Sequence, residues 1–183
     1  MKNQWLEELA GRLRRVNAEI ESWPGKYPAD ALTRAPGPGA WSAVECMDHV
    51  GITAKRYHRK AAEALHAATA GKAAAPFVPR YSLMGRLELL VLNPKGGIKM
   101  KAPSSLTPVF SGSIEGISRC VDIHNEFLCL MAESDGLDLN CIRFWNPIVP
   151  VLRMNLGETF LIMTLHAERH LAQARRAIEA SQG

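Results

Sequence analysis

No apolar run in this 183-residue chain approaches the roughly 20 consecutive positions that a membrane-spanning helix needs. A helical membrane protein is excluded on that ground. The opening stretch MKNQWLEELAGRLRRV carries charges where a secretory leader would need apolar residues, so the expected location is the cytoplasm. Cys46, Cys120, Cys129 and Cys141 form no CxxC pair or other metal-finger spacing. In a reducing compartment all four read as buried thiols rather than disulfides. Strand-like alternation, internal repeats and low-complexity segments are also lacking. Nor does one sign of charge dominate: the net charge is a mild +4. Arg12, Arg14 and Arg15, and again Arg169, Arg175 and Arg176, lie on helices that also carry acids, and read as solvated faces. Without a single basic face, a nucleic-acid partner is not expected.

What is there is an ordinary globular composition, 47% hydrophobic and 22% charged, in a length that suits one domain over residues 1–183. Four long helical patterns stand out. The first covers about residues 3–22, with Leu6, Leu9, Leu13, Val16 and Ile20 at three- and four-residue steps, and stops before Trp23-Pro24-Gly25. A loop rich in proline and glycine follows. The second helix starts at a capping box, Ser42 with Glu45, and its apolar stripe runs from Ala43 to about Ala70, with Gly71 as the stop. Residues 81–93 could form a short helix, and 93–112 reads as an extended loop. Its Lys95, Lys99 and Lys101 read as solvated, with a lid over an anionic ligand as the alternative. The third helix, about 113–134, carries Ile114, Ile117, Val121, His124, Leu128 and Met131 on one face. The fourth runs from about Leu156 to Ala180, capped by Asn155 with Glu158 in support. The fold class is all-α, and four such helices make a four-helix bundle with a long connection between the second and third.

The chemistry lies in the histidines. His166 and His170, in TLHAERHLAQARRAI, stand four residues apart and share a helix face. Spacing alone is a weak signal, since chance gives such a pair in roughly one sequence in six. Orientation strengthens it: Thr159, Met163, Gln173 and Ala177 fall within about 60° of the same direction, so both rings face the bundle interior or its rim. Glu168, Arg175 and Glu179 face the other way. The sequence is H-A-E-R-H, with Ala167 where a zinc protease of the H-E-x-x-H type has its glutamate, which argues against that class. His49, in WSAVECMDHVGI, sits at the edge of its helix's apolar stripe, where it could border a cavity mouth or be partly exposed. Thr53, Arg56 and Glu45 share its side, and Arg56 would suit a substrate anion. His124 lies on the core stripe and reads as a satisfied core residue, with a fourth-ligand or acid–base role as the alternative. His58 and His66 read as surface residues.

With Trp41-Ser42, Glu45 and His49 in one helix, and L-G ahead of H-A-E-R-H-L-A-Q in the last, the chain resembles the DinB-like superfamily and its YfiT-type metalloenzymes. The likeness covers nearly the whole chain. It implies an up-down-down-up four-helix bundle with a divalent metal, zinc or nickel, held at one end by His49, His166 and His170. It also implies homodimers and, for some members, a low-molecular-weight thiol such as mycothiol or bacillithiol as co-substrate. Three neutral imidazoles leave a coordination position open, the catalytic rather than the structural pattern. The expected function is metal-assisted thiol transfer or hydrolysis on a small molecule, with Gln173 and Arg56 as substrate-binding residues. Two other readings stand beside it: a non-catalytic metal- or ligand-binding protein, and a stress-associated helical protein whose histidines belong to the core.

Overall fold

A computed structural model describes residues 1–68, 79–82 and 102–182. The expected short helix at 81–93, the proposed stop at Gly71, and Lys95, Lys99 and Lys101 of the connecting loop lie wholly or mostly outside the described residues. Helix α1 spans Gln4–Lys26, α2 Ala29–Thr33, α3 Ala43–Ala67, α4 Glu115–Glu133 and α5 Leu156–Gln182. A single 3-10 turn at Ser104–Leu106 and two short strands, β1 (Arg143–Trp145) and β2 (Arg153–Asn155), complete the described elements. The protein is therefore mostly helical with a small sheet. Among the described residues, no helix is long and apolar enough to cross a membrane.

Three of the four long helices begin where the N-cap side chain accepts from the unpaired first-turn amides. Asn3 accepts from the Leu6 amide and opens α1. Ser42 and Glu45 form the expected capping box of α3: the Glu45 amide donates to Ser42 Oγ at 3.2 Å, and the Ser42 amide donates to Glu45 Oε2 at 2.8 Å. Asn155 and Glu158 repeat the device for α5, at 2.8 and 2.9 Å. Both boxes lie at the foot of a helix that carries site histidines, so they set the register of those histidines along the bundle.

Helix α1 runs one turn further than its sequence implies. Pro24 sits inside the last turn, and Trp23, expected outside, is buried at 2% exposure. A proline costs a helix one amide hydrogen bond and crowds the preceding turn. Burying the Trp23 ring, of the order of 2–3 kcal/mol, outweighs that at a helix end. A second departure is α2, where the proline-rich loop forms a short helix because Leu32 is fully buried. Ser181 at the end of α5 donates to the Ala31 carbonyl at 3.0 Å. The third departure is the sheet. Phe144 pairs with Met154, both buried, and the hairpin hands its last strand directly to α5. Strands of three residues are too short to display alternation.

Contacts fix how the helices run. Arg12 of α1 pairs with Glu168 of α5, and Glu19 with Arg175, the same step along both helices, so these two point the same way. Helices α3 and α4 also point the same way: Gly51 lies against Cys120, His58 against Glu126 and His66 against Glu133. Asn17 beside His124, with Asp135 accepting from the Lys2 and Asn3 amides, sets α4 opposite to α1. Leu6, Leu13, Ile20, Met47, Phe127, Met131 and Phe160 fill the shared core with almost no exposure.

Three readings of side chains change. Arg12 and Arg175 form interhelical ion pairs rather than solvated faces. Of the four cysteines only Cys46 and Cys120 are buried; Cys129 and Cys141 are exposed, and all four are free thiols. His58 is not a plain surface residue, since its side chain is 21% exposed and packs edge-on to Phe127. Its companion His66 is exposed as expected.

Candidate metal centre

The three histidines meet. His49 comes from the second turn of α3, and His166 and His170 from successive turns of α5. Their ring centroids are 5.1, 4.8 and 4.6 Å apart. One ligating nitrogen from each lies within 4.8 Å of the other two. His49, which its own helix pattern leaves at an edge, is buried at 5% exposure, against the Leu106 carbonyl and the rings of Trp41, His166 and His170. His166 and His170 are half-buried.

Hydrogen bonding fixes one tautomer. His49 Nδ1 lies 2.8 Å from the Leu106 carbonyl oxygen. A carbonyl only accepts, so Nδ1 carries the proton and Nε2 keeps its lone pair. Ligating histidines commonly show this arrangement, one nitrogen anchored and the other free for the metal. His170 Nδ1 is buried without any hydrogen-bond partner among the described residues. An orphaned buried nitrogen is costly, and a metal ion is one of the few groups that would satisfy it. The donor set fits a divalent ion of borderline softness: three imidazole nitrogens, with no further His, Cys, Asp or Glu grouped with them among the described residues.

The electrostatics favour neutral rings. Burial lowers the pKa of His49, against the opposing pull of the Leu106 carbonyl and of Asp48. His166 falls well below the usual histidine range, first through burial and then through the neighbouring His170 and His49. His170 is pushed down to about 3 by burial, His49 and Arg169, while a hydrogen bond with Gln173 works the other way. At neutral pH all three rings are uncharged, each with one N–H and one free lone pair.

Around the trio the structure distributes the remaining candidates unevenly. Gln173, one turn beyond His170 on the same face, lies near enough to act on that ring's pKa. Arg56 lies two turns from His49, where Nη2 donates to the Ser105 carbonyl at 2.8 Å. It therefore touches the segment whose Leu106 carbonyl meets His49. His124 stays outside the trio as a satisfied core residue: Nδ1 meets Asn17 Oδ1 at 2.7 Å and Nε2 lies 3.7 Å from Cys120 Sγ. Glu168 faces away, held by Arg12, as the helical wheel requires. Two contributors were not legible as site residues. Trp41 packs its ring 4.8 Å from His49 and 6.1 Å from His170, walling one side. Its position one residue before the helix cap was the available signal. The Leu106 carbonyl is a backbone group and leaves no signal in the sequence.

No curated protein and no solved structure matches the chain. The model of the DinB superfamily matches residues 6–174, a span that contains both capping boxes and all three converging histidines. The chain belongs to the DinB superfamily.

Proposed function

We propose that the protein is a divalent-metal-dependent enzyme that promotes thiol transfer or hydrolysis on a small molecule, with His49, His166 and His170 as the ligands of zinc or nickel. The scaffold in this reading is an up-down-down-up four-helix bundle, supported by the helix directions read from the ion pairs and ring contacts above. One observation carries the proposal: three uncharged, converging imidazoles, one of them with a buried nitrogen that nothing among the described residues satisfies. When bound, the ion would acidify a water or thiol at its open position toward neutrality.

The chain's own residues do the rest. His49 is held by Leu106 and offers Nε2. His166 and His170 stay uncharged through burial, so they need lose no proton to ligate. Gln173 supports His170 and orients a bound small molecule beside it. Arg56, at the rim, meets an anionic group of that molecule. Trp41 excludes water from one flank. Burial pushes the Cys46 thiol up to about 12 and raises Cys120 as well, so both stay protonated. A reacting sulfur would then come from outside, as a low-molecular-weight thiol. In this reading the protein works in the cytoplasm as a homodimer, and the exposed Trp145, Val149 and Val151 of the hairpin supply apolar surface for self-association.

Elemental analysis of tag-free protein beside His49→Ala, His166→Ala and His170→Ala tests the ligands, and a panel of thiols with electrophiles and esters tests the reaction. Stoichiometric metal in the wild type and none in the variants is expected. Metal retained by His170→Ala would sink the triad. Metal without turnover across the panel would leave a binding protein in place of an enzyme.

A further inference from the structure

Asp48 precedes His49 on α3 and faces the other side of the helix, toward α4. It is fully buried. A buried carboxylate needs partners, and Asp48 draws them from two separate elements. Its Oδ2 accepts the amides of Val109 at 2.5 Å and Phe110 at 3.0 Å. Its Oδ1 accepts no hydrogen bond, but Arg119 Nη1 of α4 lies 3.3 Å away as an ion-pair partner. The Arg119 guanidinium also covers the Phe110 ring, 4.3 Å from its centroid. The two residues thus close on positions 109–110 from below and from outside.

Those positions continue the strap whose Leu106 carbonyl meets His49. The Val109 side chain is 69% exposed, so side-chain burial does not hold the strap there; its backbone does. Three residues earlier, Leu106 is buried, and its carbonyl receives the His49 Nδ1 proton. That bond joins two neutral groups. Hydrogen bonds to a carboxylate are roughly twice as strong as neutral ones, so the clamp at 109–110 is the stiffer anchor. Consecutive residues of one helix therefore grip one strap: Asp48 fixes it, and His49 uses it.

We propose that Asp48 is a positioning residue of this centre: closed from outside by Arg119, its carboxylate clamps residues 109–110 and so holds the Leu106 carbonyl where it fixes His49 as the Nδ1–H tautomer with Nε2 free. The proposal rests on the metal reading above only for its consequence on affinity. The effect on the ring itself is independent of any ion. A free neutral histidine prefers the Nε2–H form, so His49 is held against its own preference and reverts when the strap loosens.

The test uses the full chain, metal-free, with nitrogen-15 histidine, and long-range proton–nitrogen spectra that distinguish the two tautomers. Zinc affinity is measured in parallel by competition with a chelator. Asp48→Asn keeps the shape but turns one oxygen into an amide that cannot face both the strap amides and Arg119. The expected result is a visible Nε2–H population at His49, unchanged His166 and His170 signals, and a zinc affinity lower by about 10-fold or more, as for other outer partners of metal ligands. Arg119→Ala removes a side chain that is 38% exposed, keeps the core intact, and gives the same shifts in smaller measure. A folded variant with His49 still wholly Nδ1–H and zinc affinity within about twofold of wild type would overturn the proposal. A tautomer shift in a protein that binds no zinc, even as wild type, would overturn the metal reading and leave the positioning role standing.

Discussion

Arg12 and Glu168 meet side by side across α1 and α5, with Nε and Nη2 of the arginine 2.8 and 2.6 Å from the two carboxylate oxygens. This pair decides what the one glutamate inside H-A-E-R-H does. Both of its oxygens are occupied on the face away from the histidines, so Glu168 ties two helices together and does not act as a base. Glu168→Gln is expected to keep full metal content and any activity. Its cost is in stability, about 1 kcal/mol, because a half-buried two-pronged pair is worth somewhat more than an exposed one. Chemical denaturation beside elemental analysis checks both halves. Loss of metal in a folded variant would contradict the assignment.

His124 makes a prediction about pH. Burial holds its folded pKa at about 4, against an ordinary 6.5 that the unfolded chain regains. Between those values the unfolded state binds a proton that the folded state does not. Stability from this group is therefore complete above about 6.5, falls as pH drops through the window, and levels off below about 4, where both states are protonated. The steepest loss from one such group is about 1.4 kcal/mol per pH unit. Metal-free His124→Gln is expected to show a shallower decline than wild type when urea unfolding is compared at pH 7, 6 and 5. The other histidines are common to both proteins and cancel in the comparison. Parallel curves would mean that His124 is already protonated in the folded protein.

Gly116 allows α4 to press against α3. A Cβ there would lie 3.0 Å from Val44 Cγ1 and Asp48 Cβ and 3.1 Å from the Val44 carbonyl oxygen. One of these atoms is backbone and two are short, stiff branches, so none yields cheaply. Gly116→Ala is expected to destabilise by about 1–3 kcal/mol, the usual range for overpacking, despite alanine's better helix propensity. Thermal unfolding measures it. A neutral or stabilising change would show that the two helices can part by a few tenths of an ångström without loss.

These particulars show which parts of the protein its sequence discloses. The four long helices were legible because periodic apolar residues and two capping boxes are local signals, written within a few positions of what they specify. The shared face of His166 and His170 was legible for the same reason. His49 was not placed by its own helix: it sits at the edge of the α3 stripe, and the groups that enclose it include the two α5 histidines and a carbonyl, Leu106, that lies 57 residues further on. The Arg12–Glu168 and Glu19–Arg175 pairs span 156 residues each, and single arginines and glutamates in a helix do not announce their partners. The three-residue strands fall below the length at which alternation means anything. Pro24 misled because its local cost is real, while the Trp23 burial that outweighs it is a property of the assembled core.

The last prediction joins folding to the metal. The folded chain brings together nitrogens that the unfolded chain keeps apart, so an ion that binds the folded form must stabilise it by mass action. At a free zinc concentration 100 times the dissociation constant, the gain is about 2.7 kcal/mol. For a chain of this size, that raises the melting temperature by roughly 5–10 °C. The rise is expected in wild type and absent in His170→Ala, whose orphaned nitrogen is gone. Arg56→Ala should keep most of the shift, since its side chain offers the ion nothing directly and touches the Leu106 segment only at the Ser105 carbonyl. Acid should abolish the shift only well below the ordinary histidine range, because the folded rings resist protonation: His170 is held at about 3 by burial, His49 and Arg169. Calorimetry with zinc and with nickel, at pH 7 and pH 5, measures each of these. A shift that survives in His170→Ala would place the ion elsewhere on the protein.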